Sequence, residues 1–162
     1  MKRNRRRALA VALGAVVCGM IAAAALASPP SSIVPSNLVA KADLNTPVDL
    51  HADRIRLKTK EPTDVRVQKV VFAPGGRTGW HHHPGIVLVA VAAGQVTVVD
   101  AKCKATTYGP GSPNGSAFTE VGAEPMEVRN LSGSEATVYA TFIAPDDDMD
   151  HFRVEDPVQS CP

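Results

Sequence analysis

Pro74-Gly75-Gly76-Arg77-Thr78-Gly79-Trp80-His81-His82-His83-Pro84-Gly85 leads directly into the apolar run Ile86-Val87-Leu88-Val89-Ala90-Val91. Glycine and proline punctuate both ends of the histidine triplet, which places it between turns. Six consecutive apolar residues, four of them β-branched, read as a strand in the middle of a sheet. Where Trp80–His83 is extended, side chains alternate, so His81 and His83 project from one face and His82 from the other. Two imidazoles two residues apart on one strand can share a metal ion. The same triplet also reads as a partly exposed patch that picks up metal adventitiously. Spacing alone leaves both readings open.

Outward from this stretch the texture stays β-like. Ile55 and Leu57, then Val65 and Val67, alternate with charged neighbours, the period-2 mark of half-buried strands. Val70-Val71-Phe72 runs into the Pro74-Gly75-Gly76 turn. Gly94 breaks the apolar strand, and Gln95–Val99 is expected to fold back on it as a hairpin partner. Further strands are expected around 106–108, 116–120, 126–130 and 137–143. Turn signals recur every eight to twelve residues, and residues 28–162 show no sustained 3.6 period. This is the pattern of an all-β sandwich or small barrel. The run Asp146-Asp147-Asp148-Met149-Asp150 lacks the glycine and distal glutamate of a calcium loop and reads as a solvated acidic segment.

The N-terminus has a different character. Lys2, Arg3, Arg5, Arg6 and Arg7 precede an uncharged, alanine-rich run from Ala8 to Ala27 that ends in Ala25-Leu26-Ala27. Basic head, apolar middle and small-residue exit read, over residues 1–27, as a secretory signal peptide of bacterial type, in contact with a membrane only during export; a retained membrane anchor is the alternative, since twenty apolar residues can span a bilayer. Cleavage is expected before Ser28. Residues 28–50, with Pro29, Pro30, Pro35 and Pro47, read as a Pro/Ser-rich linker, and residues 51–162 as the folded domain with a C-terminal tail. Without the signal segment 12 basic residues face 16 acidic ones, a net charge of −4. That balance argues against a nucleic-acid partner, which needs a basic patch. Cys103 and Cys161 remain, and an even pair in an exported chain is a disulfide candidate. Free thiols or an intermolecular bridge are the alternatives.

The residues around the triplet resemble the first cupin motif, G-x5-H-x-H-x3,4-E-x6-G. Gly75, His81, His83 and Gly94 stand on its spacing. The second motif, G-x5-P-x-G-x2-H-x3-N, is matched in part by the Gly115–Glu120 stretch, the turn at Gly122 and Asn130. The resemblance implies a cupin double-stranded β-helix, a jelly-roll barrel with a pocket in its mouth, often a divalent metal there, and often a homodimer. Two positions depart from it. The motif's glutamate falls on Val87 and the second motif's histidine on Met126. With two of four family ligands left, a divalent ion (Fe, Mn, Ni, Cu or Zn) would be weakly held by His81 and His83, with Glu120 as a substitute carboxylate. Trp80, Val87 and Met126 are expected in the pocket.

These readings lead to an exported barrel that binds a small-molecule ligand beside a weak or degenerate metal site. A metal-dependent cupin enzyme of dioxygenase or isomerase type, using His81 and His83, is the alternative. Two histidines and a carboxylate would suit non-haem iron if Glu120 reaches the site. The sequence contains no Ser-His-Asp order, phosphate loop or paired catalytic carboxylates.

Overall fold

The computed structural model of the chain describes residues 31–145 and 151–161. The expected signal peptide at 1–27 and the acidic run at 146–150 lie outside the described residues. Twelve strands occur in chain order: β1 (Ser31–Leu44), β2 (Asp49–Ala52), β3 (Ile55–Lys58), β4 (Thr63–Arg77), β5 (His81–His82), β6 (Ile86–Ala93), β7 (Val96–Asp100), β8 (Ala105–Tyr108), β9 (Ala117–Val121), β10 (Met126–Arg129), β11 (Ala136–Pro145) and β12 (Val154–Glu155). No α-helix occurs among the described residues.

All strand pairs are antiparallel. One half of the main sheet runs β1-β4-β11-β6-β9 and the other β12-β5-β10-β7-β8, and they join where Arg129 of β10 meets Arg77 of β4. Both halves turn apolar residues inward. Phe72, Val87, Val89, Val91, Phe118, Val138 and Phe142 from the first meet Val96 and Val128 from the second in one buried cluster. The apolar run of 86–91 proves to alternate in exposure, with Val87, Val89 and Val91 buried and Ile86, Leu88 and Ala90 exposed. It is a one-sided barrel strand, and its outward aliphatic residues hide the alternation in the sequence.

Three expectations are corrected. Residues 31–44 of the supposed linker are a strand paired with β4 along its length. Their prolines misled because β1 is an edge strand, where a missing N–H costs no ladder bond. Its register slips between Val34 and Asn37, the interval that contains Pro35. Residues 55–58 belong to a separate hairpin with β2 instead of the barrel, and Ile55 is 75% exposed. Finally, β7 does not pair with β6. The turn at Gly94 carries the chain across to the other half, where β7 pairs with β8 and β10. Gly94 adopts φ +69°, and a Cβ there would meet the Glu135 carbonyl oxygen at 2.4 Å, so this crossing needs glycine on two counts.

Asn130, on the motif asparagine position, is fully buried. Its amide nitrogen donates to the carbonyls of Phe72, Ala73 and Ser134, and its oxygen accepts from the backbone N–H and hydroxyl of Ser132. It locks the end of β10 to β4.

Candidate metal centre and cavity

The histidine triplet is too short and too polar to form a strand by its own propensity. It becomes one because partners flank it on both sides: Met126 of β10 lies opposite His81, and Val154 and Glu155 of β12 lie opposite His82 and His81. As the alternation requires, His81 and His83 turn into the barrel, 3% and 4% exposed. His82 turns the other way, and its Nδ1 pairs with Asp156 Oδ2 at 2.8 Å.

Both inward imidazoles are held through Nδ1. His81 Nδ1 donates to the Gly79 carbonyl at 2.8 Å, and His83 Nδ1 donates to the Phe152 carbonyl. With Nδ1 committed to a carbonyl, the free lone pair sits on Nε2, which is how metal-ligating histidines are usually oriented. Burial, reinforced by the nearby Arg153 charge, holds the His81 imidazole down to about 4, so it stays neutral at ordinary pH. Neutral imidazole is the form that binds metal.

Glu120 supplies the third group. It lies on β9, 5% exposed, and its Oε2 is 2.9 Å from His83 Nε2. A lone pair on Nε2 and an anionic carboxylate oxygen at that distance repel unless a cation lies between them. A proton satisfies the pair; so does a metal ion. The ligand atoms of His81, His83 and Glu120 all lie within 4.8 Å of one another. Donors held about 2.0–2.2 Å from one ion are roughly 3–3.5 Å apart, so closing on an ion takes side-chain shifts of about an ångström. The group therefore could hold a metal, and its two-nitrogen, one-oxygen donor set fits Fe(II), Mn(II), Ni(II), Cu(II) or Zn(II).

The three groups line a cavity of about 350 Å³ together with Gln68, Thr78, Arg153 and walls from Val70, Phe72, Val89, Phe118, Val128, Val138, Ala140, Phe142 and Phe152. The residues expected in the pocket are not among its lining. Trp80 is 1% exposed, with its backbone carbonyl bound by the Asp156 N–H. Val87 lies in the apolar core, and Met126 is half-buried opposite His81. Gln68, Phe152 and Arg153 have no local sequence signal, because 69 residues separate Phe152 from the histidine it holds.

The C-terminal segment is part of the site. Phe152 packs edge-on against Phe142, with ring centroids 5.1 Å apart, and lies under the Arg66 guanidinium, 4.1 Å from the ring centre. Cys161 is bonded to Cys103 in the β7–β8 turn, with Cα atoms 5.3 Å apart, which realises the intrachain pairing.

Two five-stranded antiparallel halves close on one core, with the motif histidines buried in the cavity lining and the motif asparagine next to the end of β10. The fold is a jelly-roll barrel, the fold that the motif resemblance implies. No family model matches its sequence, and no curated protein does. Solved structures give low-identity likenesses. A cupin-2 domain of Rhodospirillum rubrum aligns over 74% of this chain and 67% of its own, with 11% identity and a TM-score of 0.48. A cupin domain from Bordetella pertussis aligns over 60% of this chain and 93% of its own, with 22% identity and a TM-score of 0.40. A recombinant oxalate oxidase in complex with glycolate gives 21% identity and a TM-score of 0.41 over 50% of this chain, which spans 42% of that protein. For the polyketide cyclase RemF of Streptomyces resistomycificus the share is about half of each chain, 48% and 52%, with 19% identity and a TM-score of 0.42.

Proposed function

We propose that this chain is an exported barrel that binds a small organic ligand in its cavity, in contact with a divalent metal held by His81, His83 and Glu120. One observation carries the reading: two buried imidazoles, each anchored through Nδ1 to a carbonyl, converge with a buried carboxylate at the wall of an apolar cavity. Burying a carboxylate and two imidazoles together costs free energy unless a cation or proton unites them. Three protein ligands also leave positions on the ion open toward the cavity, so a ligand can reach it directly. The disulfide supports a location outside the reducing cytoplasm.

When bound, the metal supplies a Lewis acid at the cavity wall. The chain's residues do the rest. Gly79 and Phe152 fix the imidazole orientations through their carbonyls, Glu120 balances the charge, and the phenylalanine and valine walls exclude water. An enzyme of isomerase or dioxygenase type would use the same open positions, and turnover assays separate that reading from binding alone.

The test is calorimetric titration of tag-free protein with Zn(II), Ni(II) and Mn(II). One ion per chain is expected, with affinity falling at least tenfold in His81→Ala, His83→Ala and Glu120→Gln. Three variants that bind like the wild type would overturn the site.

A further inference from the structure

The polar groups lining the cavity are unevenly matched. Arg153 is the cation among them, and a guanidinium has five N–H donors. Its Nε–H goes to Glu155 Oε1 at 2.6 Å, and Nη2 serves Glu155 Oε2 at 3.0 Å and the Thr78 carbonyl at 2.7 Å. Both N–H groups of Nη1 are left without a partner among the described residues. Gln68 is 4% exposed, and with its amide oxygen turned to accept from Arg66 at 2.7 and 3.0 Å its NH2 faces acceptors, which leaves Arg153 as the free donor of the lining. The carboxylate of the lining, Glu120, is engaged by His83. The cavity thus offers donors and a Lewis-acid site against walls of Val70, Phe72, Val89, Phe118, Val138 and Phe142, and it asks for a ligand that accepts.

We propose that the ligand is an apolar monocarboxylate: one acceptor-only anionic head between the metal and Arg153, and a hydrocarbon or aromatic body among the phenylalanines. This rests on the metal site proposed above. About 350 Å³ is at the low end of ligand pockets, which fits roughly ten to fifteen non-hydrogen atoms. A ligand ammonium would face two positive charges, the ion and Arg153. A second polar group at the far end would press on valine and phenylalanine, where Ser36 of β1 is the one polar neighbour in the lining. Glu155 grips the back of the guanidinium and aims its fork, a role that a lysine at 153 would not support.

Calorimetry on the tag-free full chain, metal-free and Zn(II)-loaded, tests the class with phenylacetate, hexanoate, acetate, 2-phenylethanol and 2-phenylethylamine. Phenylacetate and hexanoate should bind the loaded protein at least tenfold more tightly than acetate or 2-phenylethanol, and 2-phenylethylamine should not saturate. Arg153→Met should weaken phenylacetate at least tenfold and 2-phenylethanol less than threefold. Val138→Phe, which fills the apolar end, should weaken phenylacetate tenfold and spare acetate, and it serves if the arginine variant melts. Equal affinity for acid and alcohol, equal affinity for acetate and phenylacetate, or no saturable acid binding would overturn the proposal. Loss of Zn(II) uptake with the acid preference intact in metal-free protein sinks the metal reading and leaves the ligand class on Arg153. Tight Zn(II) uptake without acid preference does the reverse.

Discussion

Replacing Cys103 and Cys161 together by serine tests how the C-terminal segment serves the histidines. The bridge closes a span of 58 residues that includes β8 through β12. On the loop-entropy estimate, opening it destabilises the folded chain by about 4 kcal/mol, an upper value because real bridges often deliver less. For a domain of this size that is a fall in Tm on the order of 10–20 °C. The loss should be uneven. Residues 152–156 hold His83 through the Phe152 carbonyl, His82 through Asp156, Trp80 through the Asp156 N–H, and Thr78 through Arg153. Untethered, this segment opens at a cost well below that of global unfolding. Loss of the outer hydrogen bond that orients a metal-binding imidazole typically costs 10–100-fold in metal affinity. The double serine variant should therefore bind Zn(II) about tenfold more weakly at a temperature where circular dichroism still shows it folded. Reduction of the wild type by a dithiol should reproduce the loss and reoxidation should reverse it. A folded variant with wild-type Zn(II) affinity would show that the segment stays closed on its own contacts.

Three further outcomes follow from single groups. His81 is held at about 4 against an unfolded value near 6.5. The unfolded chain therefore binds a proton first as pH falls, and stability is full above pH 6.5 and lost toward pH 4, by about 3 kcal/mol in all. Thermal melts of metal-free protein from pH 7 to 4.5 should show the fall, and His81→Asn should flatten it. Gly94→Ala places a Cβ 2.4 Å from the Glu135 oxygen at φ +69°, so destabilisation of about 2 kcal/mol or more is expected in urea titration. Met126→His puts an imidazole opposite His81. It should raise Zn(II) affinity if that side chain can swing into the cavity, and calorimetry alongside the wild type reads the change.

The fold was legible because turn residues and short apolar runs dominate the sequence. The histidine pair was legible because period 2 is a local rule. What stayed hidden was lateral. Period and turns do not say which strand lies beside which, so Gly94 looked like a hairpin turn when it is a crossing between sheet halves. Prolines in residues 28–50 suggested a tether because an edge strand tolerates them as a linker does. Phe152 and Arg153 reach the site through long-range pairing of β12 with β5, which leaves no trace in the spacing of either segment.

The same lateral blindness explains why the metal site looked half-dismantled. Counting along β6 from His83, the family's carboxylate position is Val87, which is apolar. In the sheet, however, Val87 of β6 and Glu120 of β9 are direct antiparallel partners. Directly opposed residues turn their side chains to the same face, with Cβ atoms about 5 Å apart. The carboxylate has moved sideways by one strand; it still faces the same interior and still meets His83, at 2.9 Å. No equivalent transfer occurs for the second motif. Met126 stands opposite His81, and the neighbours across the sheet from it, Asp100 and His81, bring no added imidazole. The group that could hold a metal is thus His81, His83 and Glu120, without the histidine that the resembled second motif places at Met126. Three protein donors would leave an ion free to take a further ligand from the cavity, which Arg153 and the phenylalanines also line.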